Sequence, residues 1–256
     1  MQKGIDVSKW NLVKDYWSIK TSGIVDFAIL REGWGTGSVD SAFADNVKGF
    51  ESVEIPILGV YHFSYALNNQ DAKKEADFAV KQVEKAGLSP STIIFFDYEY
   101  DSVDYSKRCG ITPTKEKCTA MTETFCSRVE ELGYKPGVYF NLDYKLNWYE
   151  AGFLDKYTCW IADWRVGRSY PDMAFHQYSN KGLIPGIVGD VDLNYYHGDS
   201  VKMEADKEER RQTLDEIAME VIAGKWGNGQ TRKDLLTAAG WDYISIQRIV
   251  NEILNS

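Results

Sequence analysis

Asp97 and Glu99 close the run Ile93-Ile94-Phe95-Phe96-Asp97-Tyr98-Glu99, a stretch of buried-strand composition that ends in two acids one residue apart. Strand side chains repeat every second residue, so both carboxylates point to the same side, roughly 7 Å apart along the strand. Held together among aromatic rings, each disfavours ionisation of the other, and the apolar surroundings raise at least one pKa. A carboxyl that keeps its proton near neutral pH can hand it to a leaving oxygen, as glycoside hydrolysis requires. Glu99 is the expected general acid. The competing reading makes the two acids solvated members of an acidic loop, since Asp101 and Asp104 follow.

Two more carboxylates bear on that choice. Asp6 lies in Gly4-Ile5-Asp6-Val7-Ser8-Lys9-Trp10, at the end of the first apolar run, and Asp192 in Gly189-Asp190-Val191-Asp192-Leu193-Asn194, at the end of the last. In a closed barrel the first and last strands are neighbours, so Asp6 and Asp192 can converge on Asp97 and Glu99.

The elements that would hold these acids are short runs rich in Val, Ile, Phe and Tyr at 5–7, 27–30, 57–63, 93–96 and 138–140. Helix-length segments lie between them at 12–21, 41–52, 71–86 and 114–132. Strand and helix in alternation predict a parallel sheet. Three later runs, at 159–162, 175–178 and 188–193, are too closely spaced for helices between them. The expected fold is α/β, an irregular TIM-like (β/α)5(β)3 barrel with its site at the C-terminal strand ends. A doubly wound open sheet is the alternative, but no Gly-rich phosphate loop follows the first strand.

The expected domains are a catalytic barrel over 1–198, a charged linker over 199–212 and a three-helix module over 213–256. In the module, Thr213 and Glu216 form a capping box, a second helix starts at Thr231, and Asp242 caps a third.

With 29 Lys and Arg against 38 Asp and Glu, the net charge of -9 argues against a nucleic-acid binder. No run reaches membrane-spanning length, so no membrane insertion is expected. Cys109, Cys118, Cys126 and Cys159 lack CxxC spacing and stand apart from the three histidines, so no metal site is expected and free thiols are the default. A Cys109–Cys118 loop disulfide is the alternative. No cofactor is implied. The 8 Trp and 16 Tyr exceed what a core requires and suit a ligand with flat apolar faces, such as a sugar.

Seven ordered motifs carry a resemblance: GIDVSKW (4–10), YHFSYA (61–66), FFDYE (95–99), GVYFN (137–141), WIADW (160–164), HQYS (176–179) and DVDLN (190–194). Over residues 1–198 the chain resembles glycoside hydrolase family 25 lysozymes, which are N-acetylmuramidases. The resemblance implies a flattened barrel and an acidic site of Asp6, Asp97, Glu99 and Asp192, with Glu99 as proton donor. It implies cleavage of the β-1,4 bond between N-acetylmuramic acid and N-acetylglucosamine. By similarity to other DxE glycosidases, Asp97 would orient the substrate N-acetyl group as nucleophile. Direct attack or base catalysis by Asp97 or Asp192 stays open. Tyr61, His62, Asn141, Trp160, Asp163, Trp164 and Gln177, at predicted strand ends, and Trp34, between two glycines, are candidate glycan contacts, each with barrel or loop packing as the competing role.

Residues 213–254 resemble the choline-independent cell-wall-binding repeat of phage lysozymes, on Asp215-Glu216-Ile217-Ala218, the run from Glu220 to Gly229, Arg232-Lys233, Leu236 to Gly240, and Tyr243, Gln247 and Val250-Asn251. Asp215, Arg232 and Gly240 are the implied wall contacts. The expected partner is therefore bacterial peptidoglycan, with the oligomeric state open. Met1 to Gly4 runs straight into a strand pattern without an apolar signal region. The expectation is a phage endolysin made in the host cytoplasm that acts on the wall after release. A bacterial autolysin and a catalytically silent glycan-binding protein are the alternatives, and a chitinase fits the tail poorly. Met203 opens a stretch that would encode the tail alone.

Overall fold

The structure, a computed structural model, describes residues 1–198, 214–239, 241 and 243–254. The chain divides into two compact units, 1–203 and 204–256. Thr213, Gly240, Asp242 and Met203, and with them the expected linker, lie outside the described residues.

In the first unit the strands are β1 (Gln2–Val7), β2 (Leu12–Val13), β3 (Phe27–Trp34), β4 (Ser38–Val39), β5 (Ile57–Phe63) and β6 (Ile93–Asp97). They continue with β7 (Lys135–Asn141), β8 (Thr158–Ala162), β9 (Phe175–Gly182), β10 (Ile187–Val188) and β11 (Val191–Tyr196). Eight of them close a ring in the order β1, β3, β5, β6, β7, β8, β9, β11 and back to β1. All neighbours in the ring are parallel except β11, which runs antiparallel to both β9 and β1. The helices α1 (Tyr16–Thr21), α2 (Phe43–Ser52), α3 (Asn69–Lys85), α4 (Tyr100–Arg108) and α5 (Lys115–Glu131) belong to the first half of the ring. After β7 there is one π turn, Tyr144–Trp148, and one 3-10 turn, Phe153–Lys156. This is the helix-poor late barrel that the close strand spacing predicts.

Three local expectations are corrected. The segment 12–21 is not one helix: Leu12 and Val13 pair with Val188 and Ile187, and α1 begins only after Asp15, whose carboxylate accepts from the Ser18 N–H. Residues 188–193 are not one strand, because Gly189 at φ +81° breaks the run between β10 and β11. The helix α4 went unread in the sequence, since its only buried side chains are Ser102, Val103 and Ser106.

Two apolar layers follow from strand alternation. Side chains facing outward pack under the helices, among them Leu30, Val60, Ile94, Phe96 and Val138 with Phe125 and Val129 of α5. Those facing inward, Phe27, Ile29, Ile93, Phe95, Trp160 and Phe175, fill the barrel. Phe95 fits because glycine stands on both neighbouring strands; a Cβ on Gly59 would lie 2.7 Å from its ring and one on Gly137 2.4 Å. All four cysteines are free, Cys109 exposed and the other three buried.

Among the described residues of the second unit the helices are α6 (Leu214–Ile222), α7 (Gly229–Ala238) and α8 (Tyr243–Leu254). Ile217, Ala218, Val221, Leu236, Ile246, Ile249 and Val250 form its core, with Trp226 and Trp241 packed against it. Helix α7 starts two residues before the expected Thr231, after Asn228.

Overfilling the barrel interior is expected to destabilise it. Gly137→Ala should lower stability by about 1–3 kcal/mol, seen as a lower melting temperature, because the added methyl would lie 2.4 Å from the buried Phe95 ring. Adding Phe95→Leu to that variant should recover part of the loss.

Candidate active site

The acids sit where the strand ends meet. Asp97 is the last residue of β6, paired with Phe63 on one side and Tyr139 on the other. Asp6 on β1 and Asp192 on β11 are direct cross-strand partners. Glu99, one residue beyond Tyr98, is in extended conformation and precedes α4; its N–H donates to the Ser102 hydroxyl at 3.1 Å. A negative side chain is favoured at that helix terminus by the orphan N–H groups there. Tyr98 turns the other way, stacked with Phe96 and hydrogen-bonded to Ser106. The i, i+2 spacing thus delivers Asp97 and Glu99 to one side while the residue between them anchors α4.

Burial raises the carboxyl pKa of all four acids. Asp97 is buried and is pushed well above the usual range, first by desolvation and then by the Glu99 charge; the Arg31 guanidinium pulls it partly back. Its Oδ1 is buried without a hydrogen-bond partner. Glu99 is also raised by desolvation, with an opposing hydrogen bond from Asp97. Asp192 is pushed up to about 8 by desolvation and by the neighbouring Asp6. Asp6 is raised by desolvation against hydrogen bonds from Asn194 and Gln177. Asp97 with Glu99 and Asp6 with Asp192 form two hydrogen-bonded carboxyl pairs, and each pair shares protons rather than titrating singly.

Two amides orient Asp6. Asn194 Nδ2 donates to Asp6 Oδ2 at 2.8 Å, and Gln177 Nε2 donates to the same oxygen at 2.9 Å. Each amide is held the right way round by a donor-only group on its oxygen: Trp160 Nε1 to Asn194 Oδ1 at 2.8 Å, and Trp164 Nε1 to Gln177 Oε1 at 3.0 Å. Tyr139 adds a hydroxyl donor to Gln177 Oε1 at 3.1 Å. Tyr61 and Tyr139 both feel the charges of the acids and hold their phenolic protons more tightly, chiefly through burial.

The expected glycan contacts therefore separate. Tyr61 and Gln177 border the acids, as described. Asn141 is half-buried; its Oδ1 accepts from the Tyr144 N–H, and its Nδ2 donates to Tyr100 Oη at 3.4 Å. Trp34 is half-buried, with Lys9 and Arg31 over its ring. Trp160 is corrected: at 1% exposure, packed on Tyr61, Phe95 and Tyr139, it is barrel core and positions Asn194. Asp163 is corrected as well, because its carboxylate is taken up by a bidentate Arg165 and by the Tyr170 hydroxyl, which hold its pKa down against burial. His62 faces outward, paired with Glu32 and 3.7 Å from Glu75 beneath the helices. Trp164, half exposed, remains open to a ligand.

Asn194, Tyr139 and Arg31 were missed as site residues. Asn194 stands two residues after Asp192 on the same strand, so the period that groups Asp97 with Glu99 would have found it. Among the described residues no group of three or more His, Cys, Asp or Glu is arranged to hold a metal ion.

In the second unit Arg232 is tied down, donating to the Gly227 carbonyl, to Gln247 Oε1 and to Asn228 Oδ1. It clamps the turn before α7 to α8. The Asp215 side chain, like Gly240, lies outside what is described.

The family model "Glycosyl hydrolases family 25" matches residues 5–187, and the "CW_7 repeat" model matches residues 215–254. Lysozyme M1 of Streptomyces globisporus is 26% identical over 78% of this chain and 69% of its own. The lysozyme of Streptococcus phage Cp-7 is 27% identical over 77% of this chain and 55% of its own. The modular autolysin LytC from Streptococcus pneumoniae superposes with a TM-score of 0.65 at 25% identity, over 75% of this chain and 46% of LytC. The chain thus spans about half the length of two of these relatives.

The Asp192 shift fixes a sign for stability. Near pH 4 the carboxyl begins to ionise in the unfolded chain, while the folded chain holds its proton to about pH 8. Stability should therefore fall as pH rises through that window and level off above it. Melting curves of wild type and Asp192→Asn between pH 4 and 9 should show the variant gaining on the wild type as pH rises. A constant difference would mean that Asp192 titrates normally.

Proposed function

The chain belongs to glycosyl hydrolases family 25, and from that premise we propose that it cleaves peptidoglycan between N-acetylmuramic acid and N-acetylglucosamine, with Glu99 as acid and then base. The observation that carries this reading is the buried Asp97, its Oδ1 without a hydrogen-bond partner, bonded to the half-buried Glu99, each with a raised pKa.

At rest the two carboxyls share one proton, which favours the more deeply buried Asp97. An incoming acetamido N–H gives Asp97 a hydrogen bond to its charged form, which lowers its pKa and shifts the shared proton to Glu99. Glu99 then protonates the glycosidic oxygen as the acetamido carbonyl oxygen attacks C1. The C1–O bond to the leaving sugar breaks, and an oxazolinium ion forms, its charge offset by Asp97. Glu99, now ionised, takes a proton from water as the water oxygen attacks C1; the C1–O bond of the oxazolinium breaks, which restores the acetamido group, and the outcome is net retention. Asp192, protonated to about pH 8, is a weak nucleophile or base at neutral pH, which speaks against the inverting route. Asp6, held by Asn194 and Gln177, supplies negative potential toward the oxocarbenium-like centre.

The CW_7 repeat would hold the enzyme on the wall, and the relation to a phage lysozyme supports a role as an endolysin released onto the wall at host lysis.

Digestion of purified peptidoglycan, followed by borohydride reduction and mass analysis, should show N-acetylmuramic acid at the new reducing ends. Reduced N-acetylglucosamine would identify a glucosaminidase instead. Glu99→Gln should lower the rate by at least about 1000-fold while wall binding persists; unchanged lysis would refute the proton-donor role.

A further inference from the structure

Beside the acids, at the ends of β1 and β3, the rim is cationic. Lys9 follows Asp6 by three residues, and its ammonium lies between two indoles, 4.9 Å from the centre of the Trp10 ring and 4.3 Å from that of Trp34. The Arg31 guanidinium lies 5.4 Å from the same Trp34 ring. One buried carboxylate organises both: Asp40 Oδ2 accepts from the Lys9 backbone N–H at 3.1 Å and from Arg31 Nε at 2.7 Å, while Oδ1 accepts from the Ala42 N–H. Asp40 thereby neutralises one of the two cations and leaves the other in surplus.

Lys9 is the surplus cation. Among the described residues no carboxylate pairs with its ammonium, whose contacts are the two ring faces. Cation–π contact holds the ammonium in place without occupying its N–H donors, which remain directed to solvent or to a ligand. Trp10 is 76% exposed, so the arrangement is open on that side. Asp6 pairs with Ile29 on β3, and Arg31, two residues further along that strand, faces the same side, which places this cationic rim beside the acids; its charge accordingly pulls the Asp97 pKa down.

An open ammonium held between two indoles beside four acids is suited to an anionic ligand. Resting on the lysozyme reading above, we propose that Lys9, supported by Arg31 and the Trp10–Trp34 pair, binds the carboxylate carried by the muramyl lactyl substituent. That carboxylate is either the lactyl acid itself on peptide-free strands or the first free carboxylate of the stem peptide. The neutral sugar of the pair offers no charged group for Lys9 to pair with. The subsite therefore selects the muramyl side of the bond and offsets the repulsion an acidic site exerts on an acidic polymer.

The test compares kcat/KM on two matched substrate pairs: peptide-free glycan strands with the lactyl acid free or converted to its methylamide, and walls with the stem glutamate α-carboxyl free or amidated. Wild type should prefer the free acid by about tenfold in one pair, and that pair identifies the source of the carboxylate. Lys9→Met keeps the aliphatic stem against both indoles and should bring the preference close to one, whereas Lys9→Arg should retain most of it. Cleavage of the amide substrates serves as the control that each variant is folded. No preference in either pair, or a preference that survives in Lys9→Met, overturns the subsite. Failure of the wild type to cleave any of the four substrates would overturn the lysozyme reading instead.

Discussion

The structure turns on burying four carboxyl groups against one another at one end of a barrel. Their mutual repulsion and desolvation oppose folding, and their surroundings limit that opposition in three ways. Raised pKa values keep part of the charge off the cluster, with Asp192 pushed up to about 8 and Asp97 well above the usual carboxyl range. Oriented amides from Asn194 and Gln177 satisfy Asp6, and Arg31 supplies positive charge to Asp97. The aromatic interior is part of the same arrangement, because Trp160 both fills the barrel and fixes the Asn194 amide. Strain of this kind, offset by the rest of the fold, is what a proton-donating carboxyl at neutral pH requires.

Division of labour follows from depth. On the proposed reading, Asp97, buried and without a partner at Oδ1, is the resting place of the proton, and Glu99, half-buried at the start of α4, is the group that meets the substrate. Two residues of one strand end thus acquire different tasks because one stays inside the barrel and the other leads into a helix.

Much of this was legible in the sequence because it rests on local periodicity. The i, i+2 spacing placed Asp97 and Glu99 together, and the strand count implied a closed ring that brings Asp6 against Asp192. What escaped depends on contacts far apart in the chain. Leu12 and Val13 are extended only because residues 187 and 188 pair with them. Helix α4 has too few apolar residues to show a period and is anchored instead by Ser102 and by Tyr98, bonded to Ser106. Trp160 and Asp163 looked like ligand contacts from their place at a strand end, and only the packing of one and the Arg165 pairing of the other show that they serve the scaffold.

The central claim is that the cluster keeps a proton at neutral pH, and infrared spectroscopy reads that directly. Between pH 5 and 9, difference spectra of wild type against Asp97→Asn and Asp192→Asn should show protonated-carboxyl C=O bands that persist at pH 7 and, for Asp192, fade near pH 8. Spectra in which every carboxyl is ionised by pH 6 would contradict the account.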